Sequence, residues 1–572
     1  MLRKLTISLL AGIFFAPQAL AQAPAPGLLM PGVTYSKRVQ FTPHGPVVLN
    51  VITAPKPGGF YSLQPVLSNE SIVGREKVTS MQRRMSATAT VAGVNGDLFN
   101  WNDGHPSGVL IRNGVLEHPP LAERTSVGIA SDGTLHTDRV SLLGYWQGAG
   151  SRLRIGLNDP PGENGFALFT RAYGATTPSE SGAAEVVLHP FPNVTANTDL
   201  VGTVADVISP SSGKTPIPPD GVVVQARGSG AFRLVGDAPL GSTVTIRYTL
   251  NPTWEGIVGA IGGGPVLVKD GKPVFRANES FTTSQLAPHD PRTAVGQRAD
   301  GKIIMVAVDG RQPGYSAGVT SFELALAMMQ LGCVSASGLD AGGSTTMAFD
   351  GRLLNRPSDK GGERSVAEAL LVAYTGVYVP PAPEPVLSPN GDGVAEAESL
   401  SYKVVRPSTV QASLVGPGGV TLPIDAGTRA PGTFKFNWTG NGQAEGNWKF
   451  SVTATDDLMQ VSTAERTFSL NETLASLALR PKSLKLRKKR TRLVGSFRLA
   501  RAAKVTATIE TANGTLVRVL SRRSAGAGTQ RLQWNGRGAS GGLAYGGSYR
   551  LHVSATNTVG RADLYAPFTA RR

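Results

Sequence analysis

Two aspartates close apolar runs in this chain, and their surroundings hold more than turns require. Asp340 stands in SGLDAGGSTTM (337–347), followed by two glycines and by Ser344 and Thr345. Asp309 closes GKIIMVAVDG (301–310). Carboxylates presented at the end of a strand can serve as nucleophile, general acid or general base. The bland alternative is a turn, for which Asp-Gly is a common signal. Glycine-rich stretches, GGGP (262–265) with Gly264 and the run after Asp340, let backbone come close to a ligand. DPRTAVG (290–296), DGRQPG (309–314) and NRP (355–357) set Arg292, Arg311 and Arg356 beside turns. A planar guanidinium suits phosphate.

The elements that must position these residues are legible around them. GKIIMVAV reads as a strand, and TSFELALAMMQLG (320–332) as a helix. Thr320 and Glu323 have capping-box spacing, Leu324, Met328 and Leu331 share a face, and Gly332 stops the helix. CVSASGLD (333–340) is the next strand. A right-handed crossover lays two such strands parallel, as neighbours or near-neighbours, so both aspartates emerge at one sheet edge. Adjacent strands lie about 4.8 Å apart, which suits the ~5 to 9.5 Å carboxylate separations of glycosidases. The expectation is an α+β catalytic domain whose mixed sheet contains this strand–helix–strand unit.

The 572 residues suffice for about three or four domains. MLRKLTISLLAGIFFAPQALAQA has the basic start, short apolar run and small-residue site of a cleaved signal peptide over 1–23, which predicts a secreted, periplasmic or cell-surface bacterial protein. No later run is long and apolar enough for a transmembrane helix. A single cysteine, Cys333, excludes an intramolecular disulfide and reads as a buried thiol. The histidines show no zinc spacing, and no cofactor is expected.

Residues 24–84 read as a β-rich lead-in, 85–378 as the catalytic domain and 379–390 as a proline-rich linker. Residues 140–250 are strand-rich but carry no interpretable motif. After the linker the chain repeats itself: GTFKFNWTGNG (432–442) matches GTQRLQWNGRG (528–538), and GNWKFSVTATD (446–456) matches GSYRLHVSATN (547–557). Two all-β Ig-like sandwich modules follow from this, at 391–474 and 475–572. In SPNGDG (388–393), Asn390 and Asp392 offer oxygens two apart on a glycine-rich loop, the pattern of a Ca²⁺ site and equally of an ordinary turn. Residues 480–572 hold 20 lysines and arginines against only Glu510 and Asp563, whereas the rest has 36 basic and 38 acidic residues. A module this basic attracts anionic cell-envelope polymers, with a merely solvated face as the plain alternative. Export argues against nucleic acid as a partner.

Seven segments in order resemble the phosphodiester glycosidase family, whose members include an enzyme that removes N-acetylglucosamine from a sugar-1-phosphodiester: GVNGDLFN (93–100), GHPSGVLIRNG (104–114), AIGGGPVLVKDG (260–271), PRTAVG (291–296), VDGRQPGYSAGVTSFELA (308–325), LDAGGSTTM (339–347) and NRPSD (355–359). The C-terminal repeats resemble Ig-like domains of the flagellar hook-capping type. The first resemblance implies Asp340 as nucleophile or base with Asp309 as its partner. Arg292 and Arg311 then hold phosphate, and Asn95, Asp97, Ser344 and Thr345 bind sugar hydroxyls. Gly264, Asn355 and Arg356 complete the substrate-binding set. The implied substrate is a carbohydrate polymer or glycan phosphodiester. A non-catalytic polysaccharide-binding protein on the same fold, or a glycosidase or phosphodiesterase of other specificity, are the competing readings. One position departs from the family's Asp-Gly-Gly-Gly-Ser: Ala341 stands second, which matters if the backbone there needs positive φ.

Overall fold

The structure, a computed structural model, describes residues 27–487 and 491–572. The signal peptide expected at 1–23 lies outside the described residues, as do positions 488–490 of the basic run. The chain is built almost wholly of β-strands, with four α-helices among the described residues, the longest Ser321–Gln330. This corrects the expected α+β domain. The sheet bearing both aspartates is not mixed either. Its order is Gly27–Met30, Val33–Thr42, Gly45–Ala54, Ile303–Val308, Arg292–Arg298, Cys333–Gly338, Val266–Lys269 and Lys272–Pro273, and every neighbouring pair is antiparallel.

The correction has a physical reason. Strand Arg292–Arg298 inserts between Ile303–Val308 and Cys333–Gly338, antiparallel to both. The outer two therefore run the same way without pairing, and Asp309 and Asp340 do reach one edge. Ile303–Val308 is buried at every position, because the helix Ser321–Gln330 covers one face and a second sheet covers the other. A strand buried on both faces loses its alternation and reads like one from a parallel sheet. The helix itself forms as its letters predict, with the Thr320–Glu323 capping box in place. Its Leu324, Ala325 and Met328 pack on Val306, Val308 and Ala336.

Two five-stranded sheets complete the body around the site. One runs Arg352–Leu353, Met347–Phe349, Thr90–Asn95, Glu368–Tyr374, Tyr61–Leu67; the other runs Leu135–Arg139, Thr125–Ala130, Ile257–Gly262, Leu110–Arg112, Val115–His118. A common core joins the three sheets through Ile52, Val94, Val127, Ile261, Met305 and Leu370. Residues 141–251 supply all of a further eight-stranded sheet, whose core includes Trp146, Phe166 and Tyr248.

Beyond Tyr378 come two sandwiches, each of two sheets enclosing a separate core. The repeated tryptophans occupy equivalent places: Trp438 packs 4.8 Å from Trp448, and Trp534 packs 6.0 Å from Tyr549. The first sandwich is fastened to the body through Lys403, whose Nζ donates to Ala89 O at 3.0 Å and Ser86 Oγ at 3.2 Å.

Candidate active site

Asp340 begins the turn after Cys333–Gly338, and its backbone is tied to the neighbouring sheet. Its N–H donates to Gly96 O at 3.0 Å, and its carbonyl accepts from Asn95 Nδ2 at 2.9 Å. Asn95 is fully buried, and its Oδ1 also accepts from Thr293 Oγ1 at 2.8 Å and Thr346 N at 3.0 Å. The side chain assigned to a sugar hydroxyl by resemblance thus joins three segments of the body. The Asp340 carboxylate accepts from Ala341 N at 2.8 Å and bonds the Ser344 hydroxyl. Ala341 itself is extended, at φ −115° and ψ −173°, and the positive φ of this turn falls on Gly342 at +65°. Alanine at the departing position carries no backbone strain.

Asp340 is half-buried and lines a cavity of about 210 Å³ with Gly264, Pro265, Phe281, Arg292 and Arg311. Burial pushes its pKa up to about 6, against the pull of Ser344, the Ala341 N–H, Arg364 and Arg124. Behind it Asp97 is 2% exposed, and burial drives its pKa up to about 7. The Leu98 and Gly108 N–H groups and Arg124 oppose that rise, while the negative charge of Asp340 adds to it. The Asp97 Oδ1 atom has no hydrogen-bond partner among the described residues. Oδ2 lies so close to two glycines that a Cβ on Gly108 would stand 2.6 Å from it and one on Gly262 closer still. Glu368, fully buried, accepts from Asp97 N at 3.2 Å, and burial followed by repulsion from Asp97 holds its carboxyl well above the usual range.

Two arginines outside the expected set serve these acids. Arg124 donates its Nε to Ser280 O at 3.3 Å and lies 4.7 Å from the Phe281 ring centre. Its Nη1 is buried without a hydrogen-bond partner among the described residues. Its charge lowers the pKa of both Asp97 and Asp340. Arg364 pairs bidentately with Asp359 at 2.8 and 3.0 Å, and reaches Ser344 Oγ at 3.3 Å. Gly343 leaves the space this pair occupies.

The other predicted residues are placed as follows. Asp309, wholly buried, accepts from Asn50 Nδ2, Tyr315 OH, Asn355 Nδ2 and Arg356 N, all at 3.0–3.1 Å. Burial raises its pKa and those four bonds counter the rise. Its strand lies two spacings from that of Asp340, about 10 Å, and it does not line the cavity. Asn355 also accepts from Met347 N and donates to Thr345 O. Arg292 donates to the carbonyls of Val319, Gln285, Leu286 and Pro288. Arg311 pairs with Asp290 at 2.7 and 3.0 Å, its side chain 49% exposed at the cavity. Arg356 is exposed over Tyr315, and the Thr345 hydroxyl is buried without a partner among the described residues. Asn390 donates to Asp563 O, and the Asp392 carboxylate accepts from Val394 N and Tyr565 N, so this loop links the two sandwiches.

Residues 194–373 match the phosphodiester glycosidase family, and residues 484–558 match the FlgD Ig-like domain. The match places a phosphodiester glycosidase domain at residues 194–373. The matched segment of that domain holds Asp309, Asp340, Arg364 and Glu368; Asn95, Asp97 and Arg124 precede it in sequence and join it in space. Over 108 residues the chain is 40% identical to the SPbeta prophage-derived uncharacterized protein YomE of Bacillus subtilis, covering 19% of this chain and 16% of YomE. It is similar to a hypothetical protein from Synechocystis at 26% identity and TM-score 0.51, over 62% of this chain and 64% of that one. A zebrafish N-acetylglucosamine-1-phosphodiester alpha-N-acetylglucosaminidase catalytic domain, auto-inhibited by its pro-peptide, aligns over 61% of this chain and 84% of its own at 14% identity and TM-score 0.34.

Sequence reasoning passed over Arg124, Arg364 and Glu368. Arg124 sits in LAERTSVG, which has no motif. Glu368 did leave a signal, an acid inside the apolar strand Glu368–Tyr374 and its approach, SVAEALLVAY (365–374).

Proposed function

We propose that the chain is an exported hydrolase that cleaves the glycosidic bond of a sugar-1-phosphodiester in a cell-envelope or exopolysaccharide polymer. The observation that carries this reading is the unpartnered guanidinium edge of Arg124 beside two carboxyl groups of unequal acidity, Asp340 near 6 and Asp97 near 7. Burial raises both, and the charge of Asp340 raises Asp97 further, which favours an ionised Asp340 beside a protonated Asp97, the division of labour that acid–base catalysis needs. Asp340, at the cavity wall, acts at the anomeric carbon as nucleophile or as base for water. The bond from the anomeric carbon to oxygen breaks, and its electron pair leaves on the phosphate oxygen. That leaving group is a phosphate monoester whose second pKa is about 6, so it asks for little protonation. Arg124, with Arg311 at the cavity mouth, takes up its charge, and Asp97 supplies a proton when one is required.

Export is supported by the basic start, apolar run and small-residue site before residue 24. Among the described residues no helix is long and apolar enough to cross a membrane. Steady-state hydrolysis of a chromogenic sugar-1-phosphodiester by the purified chain tests the activity. Asp340→Asn is expected to lower kcat by roughly 10² to 10⁴ with an unchanged circular dichroism spectrum. Near-parental kcat in the folded variant would refute the assignment.

A further inference from the structure

The two sandwiches present the same sheet face to different surroundings. In the first, strands Glu398–Val404 and Gly432–Trp438 pair so that Lys403 stands opposite Thr433 and Ser401 opposite Lys435. In the second, Leu493–Leu499 and Gly528–Trp534 pair so that Arg498 stands opposite Thr529 and Ser496 opposite Arg531. The registers superpose: Arg498 takes the place of Lys403, and Arg531 that of Lys435. Lys403 is 8% exposed because its amine is held by Ala89 and Ser86 of the body, while Lys435 on the same face is exposed. Arg498 and Arg531 are exposed.

A third strand extends this second face. Leu474–Arg480 pairs with Leu493–Leu499, which sets Arg480 beside Val494 and hence in line with Gln533. Arg480, Arg531 and Arg498 therefore occupy three successive outward rows, one on each strand, spread over about 14 Å at roughly 6.8 Å per row. All three are exposed, and among the described residues none of their guanidinium groups has an ion pair or hydrogen bond. The opposite face of the same sandwich differs. There Glu510 holds Arg550 and His552, and Asp563 holds His552 and Arg561. Both acids of residues 480–572 thus pair on one face, and neither lies on the other.

We propose that the Arg480–Arg498–Arg531 face is a docking surface for a linear phosphodiester-linked glycan, the polymer class whose linkage the body would cleave. The identity of the polymer rests on the function proposed above; the location of the surface rests on the arginines. A chain bearing one phosphate per repeat offers a row of single charges to a row of unpaired guanidinium groups. Docking there tethers the polymer to the enzyme, so that cleavage follows on a strand already held.

The test uses the full mature chain, a linear poly(hexosamine 1-phosphate) as probe, and neutral dextran and double-stranded DNA as comparisons. Simultaneous Arg480→Gln, Arg498→Gln and Arg531→Gln is expected to weaken polymer binding roughly tenfold or more at low salt and to lower the slope of log affinity against log salt by about 2. Lys485→Gln, Lys504→Gln and Arg522→Gln on the other sheet remove the same charge and should leave binding near parental. Turnover of the small chromogenic substrate should be equal in all three proteins. Equal loss in both triple variants, or DNA bound as tightly through the same three arginines, would overturn the proposal. Polymer binding that depends on the arginines in a chain with no turnover would instead sink the catalytic reading and leave the surface standing.

Discussion

Asp309 and Asp340 end strands that run the same way in one sheet, yet they sit in opposite chemical situations. Asp309 is sealed, with four donors on its two oxygens. Asp340 lies half-buried at a cavity wall, held by a neighbouring N–H and a serine hydroxyl. Both have raised pKa values for the same first reason, burial. The difference teaches that a raised pKa does not by itself mark a working site: the Asp309 oxygens are saturated by donors, whereas Asp340 faces the cavity and Asp97 behind it keeps an unpartnered oxygen. Asp309 fastens Tyr315 of the 311–316 turn, Asn355 and Asn50 of strand Gly45–Ala54 into one unit.

The sharpest way to break this contrast is to exchange the two acids for amides. Asp340→Asn should remove most of the rate and little stability. Asp309→Asn should do the reverse: it places an NH₂ group against buried donors, and should cost about 3 kcal/mol of stability, while kcat per folded molecule stays within a few-fold. Urea unfolding alongside kinetics reads both. Loss of rate without loss of stability in Asp309→Asn would make it a catalytic group after all.

A smaller effect is expected at Arg124. Arg124→Gln keeps the polar contact to Ser280 but removes the charge that reaches Asp97 and Asp340. It should lower kcat/KM for a phosphodiester by roughly 10²-fold and for a neutral aryl glycoside far less. Equal losses on both substrates would assign Arg124 to the fold rather than to the leaving group.

The smallest effect is a change of profile. With Asp340 ionising near 6 and Asp97 near 7, kcat/KM should rise as pH passes about 6, because Asp340 must lose its proton, and fall as pH passes about 7, because Asp97 must keep its own. Asp97→Asn should abolish the alkaline limb and leave the acid limb. An unchanged alkaline limb would remove Asp97 from proton transfer.

Much of this was readable before the fold was known, and the failures have causes. The helix 321–330 was legible because its caps are local. The common edge for the two aspartates was legible because strand direction follows from strand–helix–strand order, even though the antiparallel strand between them was not. The sandwiches were legible through their repeat. Strand type failed because Ile303–Val308 and Thr90–Asn95 are buried on both faces and lose the alternation that distinguishes antiparallel sheets. Residues 141–251 hid their sheet although Thr243–Asn251 alternates clearly between buried and exposed positions; alternation reveals a strand but not its neighbours. Arg124, just before strand Thr125–Ala130, and Glu368, at the start of Glu368–Tyr374, meet Asp97 only through tertiary packing, so no spacing could announce them. The concern over Ala341 assumed positive φ one residue too early.

The central claim is cleavage at the sugar rather than at phosphorus, and isotope labelling tests it most directly. A sugar-1-phosphodiester hydrolysed by the purified chain in ¹⁸O water should place the label on the anomeric carbon of the released sugar and leave the phosphate monoester unlabelled. Label in the phosphate, with sugar-1-phosphate as the product, would contradict the account.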